Sequence, residues 1–212
     1  MAEEPLVHVV DDDASVRESL TMLLESAGFS VRAYDSAPAF LVAASDRRAG
    51  CVLTDVQMPG LDGLELQRQL AERGIRLPVI VMTGHGDVPI AVEALKAGAT
   101  DFLEKPFDDE HLLTAVASAI ATSQRAHDEA AAVAGITARL ATLTPREREV
   151  LEGLVAGHPN KTIAYDLGSS PRTVEVHRAR VMEKMGARSL PELVRMTIAV
   201  DRAAAIGKAA ER

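Results

Sequence analysis

The 212-residue chain is predicted to fold as an α/β domain with a doubly wound parallel sheet of flavodoxin-like (βα)5 order, followed by an all-α helix-turn-helix domain. Three observations predict this. Residues 6–121 alternate short apolar runs with stretches of helical spacing. Residues 143–206 carry helical signals alone. The charge divides along the same line: residues 1–121 hold 9 Lys+Arg against 20 Asp+Glu, whereas 122–212 hold 14 against 11. An acidic half joined to a mildly basic half suggests two tasks, with the basic half suited to a polyanion.

The apolar runs Leu6–Val10, Ser30–Tyr34, Cys51–Asp55, Val79–Thr83 and Asp101–Glu104 read as strands. Between the first two, Val16, Leu20, Leu23, Leu24 and Ala27 recur at helical spacing, and Gly28 stands where a helix C-terminal glycine belongs. Further helices fit about 36–45, 62–73, 88–97 and 108–121. Repeated βα units indicate a parallel sheet covered on both faces, and right-handed crossovers leave few topologies, the flavodoxin-like order among the commonest.

Residues 122–142 are Ala-rich and lack Pro, so this linker is expected to be helical in part, with Gly135 weakening its middle. Thr144-Pro145-Arg146-Glu147 then reads as a capping box with Pro at the first helical position, opening a helix that runs to Gly157. A second helix fits Lys161–Leu167, ended by Gly168. Ser170-Pro171 opens a third through Met185, and Ser189-Leu190-Pro191-Glu192 caps a fourth. Two short helices across a tight Gly-Ser turn suggest a helix-turn-helix. The expected organisation is therefore a domain at 1–121, a linker at 122–142 and a second domain at 143–212.

Composition excludes several classes. Hydrophobic residues make up 47% and charged residues 25%, which rules out a wholly disordered chain. The apolar stretches are too short for a transmembrane helix, and the N-terminus is acidic where a signal peptide is basic. The single cysteine, Cys51, forms no internal disulfide and sits in an apolar run, so a buried strand residue in a reducing cytoplasm is expected.

In parallel α/β sheets functional groups gather at the carboxyl ends of strands. Here strand 1 ends in Asp11-Asp12-Asp13, strand 3 in Asp55, strand 4 in Thr83 and strand 5 in Lys105-Pro106. Several carboxylates in one pocket resist ionising together, and a hard divalent cation such as Mg²⁺ resolves that conflict while keeping positions that a phosphoryl oxygen can take. An ammonium from Lys105 and a hydroxyl from Thr83 add donors. This is equipment for phosphoryl transfer to a carboxylate. The plainer reading, that Asp11–Asp13 caps a helix starting near Ser15, accounts for one Asp and not for the grouping.

These segments resemble the receiver domain of two-component response regulators: Val9-Val10-Asp11-Asp12-Asp13, Thr54-Asp55-Val56-Gln57-Met58-Pro59-Gly60, Met82-Thr83-Gly84-His85-Gly86 and Glu104-Lys105-Pro106-Phe107. The resemblance implies Asp55 as phosphoacceptor, Mg²⁺ held by Asp11, Asp12, Asp55 and the backbone carbonyl of Gln57, phosphoryl contacts from Thr83 and Lys105, and a switch formed by Thr83 and Phe102. It implies a cis peptide at Lys105–Pro106, and a phosphorylation-dependent homodimer through the fourth helix and fifth strand; helical spacing then puts Val88, Val92 and Lys96 on that face and Ala91, Ala94 and Leu95 toward the core. The loop around His85 looks like a marker of the FixJ branch rather than a catalytic feature.

Leu143–Leu151, Asn160–Ala164 and Ser170–Arg178 resemble the LuxR-type helix-turn-helix. Together the halves look like the FixJ/NarL family, nearest its FixJ branch. Residues 172–188 carry a local net charge of +3. A helix over 171–185 turns Val174, Val181 and Met185 to the core, and a major groove admits such a helix. The expected contacts to double-stranded DNA are Lys161, Arg172, Thr173, Glu175, Val176, His177, Arg178, Arg180 and Lys184. Two positions depart from the family pattern: Ser169 stands where a branched apolar residue is usual, and Pro159 where a small polar one is. The resemblance implies a sensor histidine kinase partner, FixL-like in that branch, and control of nitrogen-fixation or microaerobic genes; other members answer to other stimuli. An RNA-binding or purely protein-binding output domain is the alternative for the basic half. A stand-alone enzyme is disfavoured: a phosphoaspartate hydrolase wants a second Asp where Gln57 stands, and no Gly-x-Ser-x-Gly elbow is present. The receiver is expected to assist only its own phosphorylation and dephosphorylation.

Overall fold

The computed structural model describes residues 4–44, 49–84 and 88–210, and the chain divides into two compact units, 1–127 and 128–212. In the first unit, β1 (Leu6–Val10), α1 (Ala14–Ser26), β2 (Ser30–Tyr34), α2 (Ala37–Ala43), β3 (Gly50–Asp55), α3 (Gly63–Glu72), β4 (Val79–Thr83), α4 (Val88–Lys96) and β5 (Asp101–Glu104) alternate and are followed by α5 (Asp109–Ala141). The strands are all parallel, in the order β2-β1-β3-β4-β5. This is the expected flavodoxin-like sheet.

Period-two alternation sorts the strand residues onto two faces. Val9, Leu53 and Ile80 pack with Leu24 of α1 and with Leu112 and Val116 of α5. Their neighbours Val10, Val52 and Val81 pack on the other face with Phe40 of α2, Leu66 and Leu70 of α3 and Ala94 of α4. Both faces are covered, which is why the strands read as continuous apolar runs. Cys51 is fully buried, and burial pushes its thiol pKa up to about 12, so it packs as a small hydrophobe.

The linker is helical, as expected, and more completely so than the sequence suggests. Instead of ending near residue 121, α5 runs unbroken through Gly135 to Ala141. The helix preference of the flanking alanines outweighs one glycine, whose cost is about 1 kcal/mol. A second departure concerns α4: Ala94 is fully buried, but Leu95, expected in the core, is 43% exposed. The side chain of Ala91 lies outside the described residues.

The second unit holds α6 (Pro145–Val155), α7 (Asn160–Asp166), α8 (Pro171–Met185) and α9 (Leu190–Ala210). The expected caps form. Thr144 accepts from the Glu147 amide while the Glu147 carboxylate accepts from the Thr144 amide, and Pro145 occupies the first turn. Ser170 accepts from the Thr173 amide, Ser189 Oγ accepts from the Glu192 amide at 3.4 Å, and the Glu192 carboxylate accepts from the Arg188 amide at 2.8 Å. The core comprises Val150, Leu151, Leu154, Ile163, Ala164, Val174, Val181, Met185 and Leu193. Ser169 is half-buried in the turn, where its amide donates to the Ala164 carbonyl at 2.9 Å, so the turn closes without the branched residue. Pro159 serves as the N-cap residue of α7. Among the described residues, no helix is long and apolar enough to cross a membrane.

Candidate functional site

The strand order brings the ends of β1, β3, β4 and β5 side by side. Asp11 follows β1, Asp55 ends β3, Thr83 ends β4 and Lys105 follows β5. Lys105 bridges two of the strands: its Nζ donates to Asp55 Oδ1 at 2.9 Å and to Asp11 Oδ2 at 3.0 Å. Its own amide donates to the Thr83 carbonyl at 2.7 Å, and the following Lys105–Pro106 bond is cis, as expected.

The three consecutive aspartates separate into distinct tasks. Asp13 caps α1, accepting from the Ser15 and Val16 amides at 2.8 and 3.4 Å. Asp11 is buried and accepts from the Asp13 amide at 2.9 Å, while Arg17 donates to the Asp11 carbonyl at 2.7 Å. Asp12 is exposed at the rim. The helix-cap reading therefore holds for Asp13 alone. Asp11, Asp12 and Asp55 place carboxylate oxygens within 4.8 Å of one another.

Burial raises the Asp55 pKa, opposed by its bond to Lys105 and reinforced by Asp11 and Asp12. Burial works against the Lys105 ammonium, but its bonds to Asp55 and Asp11 outweigh that and raise its pKa. Three acidic side chains facing one ammonium leave excess negative charge. Such hard oxygens, close together, fit a small divalent cation. Gln57 lies two residues past Asp55 in the β3–α3 loop, its side chain exposed. Thr83 is 2% exposed. Phe102, on β5 beside Val81, is 37% exposed, so its ring reaches the surface.

Gly63 belongs to this site and was missed in the sequence. A Cβ there would stand 2.4 Å from the Asp55 carbonyl oxygen and 3.2 Å from Val56 Cα. The start of α3 is thus pressed against the backbone of Asp55. The available signal was the Asp62-Gly63 pair opening a helix.

On α4, Val92 is 44% exposed, and Lys96 is exposed at the helix end. With Leu95 also outside, the exposed apolar face is broader than the expected stripe. The side chain of Val88 and all of His85 lie outside the described residues.

On α8, Val174, Val181 and Met185 are fully buried, as expected. The opposite face exposes Arg172, Val176, Ala179, Arg180 and Glu183, with Thr173 and Glu175 on its flanks. Arg172 pairs with Glu175 at 3.5 Å, both well exposed. Thr173 shares a hydroxyl contact with Ser170 at 2.9 Å. Arg178 and His177 are half-buried, and Arg178 reaches Asn160 Oδ1 of α7 at 3.5 Å. Lys161 is exposed on α7.

Lys184, also expected at the DNA, has a partner within the unit. Its Nζ pairs with the buried Glu147 carboxylate at 2.6 Å and donates to the Thr142 carbonyl at 3.2 Å. A buried carboxylate needs a partner, and Lys184 supplies it.

A (βα)5 sheet with an acidic pocket at its carboxyl edge, followed in the chain by a helix-turn-helix unit, defines a response regulator with a DNA-binding output domain. Residues 7–117 match the model of the response regulator receiver domain, and 141–197 match that of bacterial regulatory proteins of the luxR family. The chain is 58% identical over 198 residues to the transcriptional regulatory protein FixJ of Azorhizobium caulinodans, covering 93% of this chain and 94% of that one. Among solved structures it is similar to the response regulator StyR, at 41% identity and a TM-score of 0.84 over 92% of this chain and 98% of that one. It is also similar to full-length FixJ from B. japonicum, at 50% identity and a TM-score of 0.57 over 95% and 99%. The chain belongs to the FixJ-like response regulators with a LuxR-type DNA-binding domain.

Proposed function

We propose that this protein is a transcription factor whose DNA binding is switched by phosphorylation of Asp55. The observation that carries the reading is the pocket: Lys105 bridges Asp55 and Asp11, with Asp12 beside them. A carboxylate oxygen of Asp55 attacks the phosphorus of a phosphodonor such as the phosphohistidine of a sensor kinase. The P–N bond breaks, and the departing imidazole keeps the electron pair and takes a proton. Lys105 offers its ammonium to the transferred group, and Thr83 its hydroxyl. Asp11, Asp12, Asp55 and the Gln57 carbonyl would hold Mg²⁺, which supplies neutralisation of the phosphoryl charge. Thr83 and Phe102 pass the change to the α4–β5 face, where Val88, Val92 and Lys96 join two chains. The expected residues of α7 and α8 then meet duplex DNA: exposed Arg172, Arg180 and Lys161 at phosphates or guanine, Glu175 at cytosine.

The 58% identity to a FixJ protein supports a FixL-like kinase and nitrogen-fixation or microaerobic target genes. The test is binding to duplex DNA and to RNA of the same sequence, with and without acetyl phosphate and Mg²⁺. Binding to the duplex that strengthens on phosphorylation is expected. Preference for the RNA, or indifference to the phosphodonor, overturns the reading.

A further inference from the structure

The last turns of α5 are built into the DNA-binding unit. Ile136 and Leu140 pack against its core. Arg148 of α6 donates to the Leu140 carbonyl at 2.8 Å, and Lys184 of α8 to the Thr142 carbonyl at 3.2 Å. A further contact from this segment reaches the last carbonyl of α8: Arg139 donates Nη1 to the Met185 carbonyl at 3.0 Å. Met185 is the last residue of α8, among the carbonyls that a helix leaves without an internal partner. A cation there also meets the negative end of the helix dipole. Gly186 follows with φ +67°, and a Cβ on it would stand 3.2 Å from Arg139 Nη1. Glycine thus serves both the left-handed backbone and the approach of the guanidinium.

We infer that Arg139 is a positioning residue for DNA recognition: by clamping the C-terminal end of α8 it sets the tilt of the face carrying Arg172, Val176 and Arg180. The inference rests on the DNA-binding reading above. The lever is long. Across the 15 residues of α8, about 22 Å of helix, a tilt of roughly 3° moves the far end by about 1 Å. Base-edge hydrogen bonds occupy a window of only about 0.5 Å, so that displacement is enough to spoil them.

The test uses the full chain, phosphorylated, and a duplex that the wild type has selected from a randomised library. Arg139→Ala and Arg139→Lys are compared in affinity across a salt series and in hydrogen exchange over 181–187. Arg139→Ala is expected to bind about five- to tenfold more weakly with an unchanged log–log salt slope, because no phosphate contact is lost. Exchange at the end of α8 should rise, and Arg139→Lys should recover most of both losses. If Arg139→Ala melts the unit, Arg139→Gln, which keeps an N–H donor, reads the same contrast. Unchanged affinity overturns the inference. So does a salt slope lowered by about one, which would make Arg139 a direct phosphate contact. A wild type that selects no duplex instead fails the DNA-binding reading itself, a result separable from an effect seen only in the variants.

Discussion

Gly63→Ala perturbs the phosphoacceptor without touching a charged group. The added Cβ would lie 2.4 Å from the Asp55 carbonyl oxygen and 3.1 Å from its carbon. Carbon–oxygen contacts settle at roughly 3.3–3.6 Å, so α3 and the end of β3 must part by about 1 Å. Both obstacles are backbone, and no side chain can swing aside. The same movement strains the bond from the Gly63 amide to the Val56 carbonyl, now 3.1 Å. Overpacking of this kind costs about 1–3 kcal/mol, partly offset by the helix preference of Ala over Gly, at most about 1 kcal/mol. A net loss of about 1–2 kcal/mol is expected. Asp55 also loses its place against Lys105, now 2.9 Å away. A misplacement of about 1 Å can cost up to about a hundredfold in rate, so labelling by acetyl phosphate should slow at least about tenfold. Gly135→Ala is the control, because nothing lies within 4 Å of its added Cβ. It should stabilise the chain by about 0.5–1 kcal/mol. Urea unfolding read by hydrogen-exchange mass spectrometry reports each unit separately, and intact mass follows the labelling. A Gly63→Ala chain as stable and as quickly labelled as wild type would refute the contact between α3 and Asp55.

Glu147 is held at about pKa 2, chiefly by its bond to Lys184 and then by the Thr144 amide, against an ordinary 4.5. A depressed carboxylate stabilises the fold above its unfolded pKa, so the urea midpoint of the DNA-binding unit should fall as pH drops from 4.5 toward 2. Glu147→Gln should start lower at neutral pH and lose that slope; retaining the full slope would place the titration elsewhere. Arg180→Ala should weaken DNA binding, seen either as a log–log salt slope lowered by about one or as about 1–3 kcal/mol less discrimination at one base pair. Unchanged affinity would remove that face of α8 from the groove. Val92→Asp should leave Asp55 labelling intact yet keep the phosphorylated chain monomeric in sedimentation. A normal dimer would move the contact off α4.

Strand positions were plain in the sequence because both sheet faces are covered, leaving apolar runs such as Val79–Thr83 bounded by polar or turn residues. The pocket followed from topology, since an ordinary crossover rule sets the ends of β1, β3 and β4 together. The division of labour within Asp11–Asp13 did not follow, because which carboxylate turns to the α1 amides depends on backbone direction after β1. The same limit hides the Lys184 ion pair, because its partner, Glu147, is 37 residues away. Gly63 and Arg139 act through backbone approaches, at Asp55 and Met185, that residue identity does not encode. Leu95 failed for a different reason: helical periodicity gives the direction of a face and not how far the neighbouring layer extends.

The central claim, that Asp55 is the phosphoacceptor, is tested most directly by intact mass of the full chain after incubation with acetyl phosphate and Mg²⁺. Wild type should gain one phosphoryl group, and Asp55→Asn, whose neutral amide is no nucleophile, should gain none. A stable phosphorylated Asp55→Asn chain, or a wild type labelled at another residue, would contradict the account.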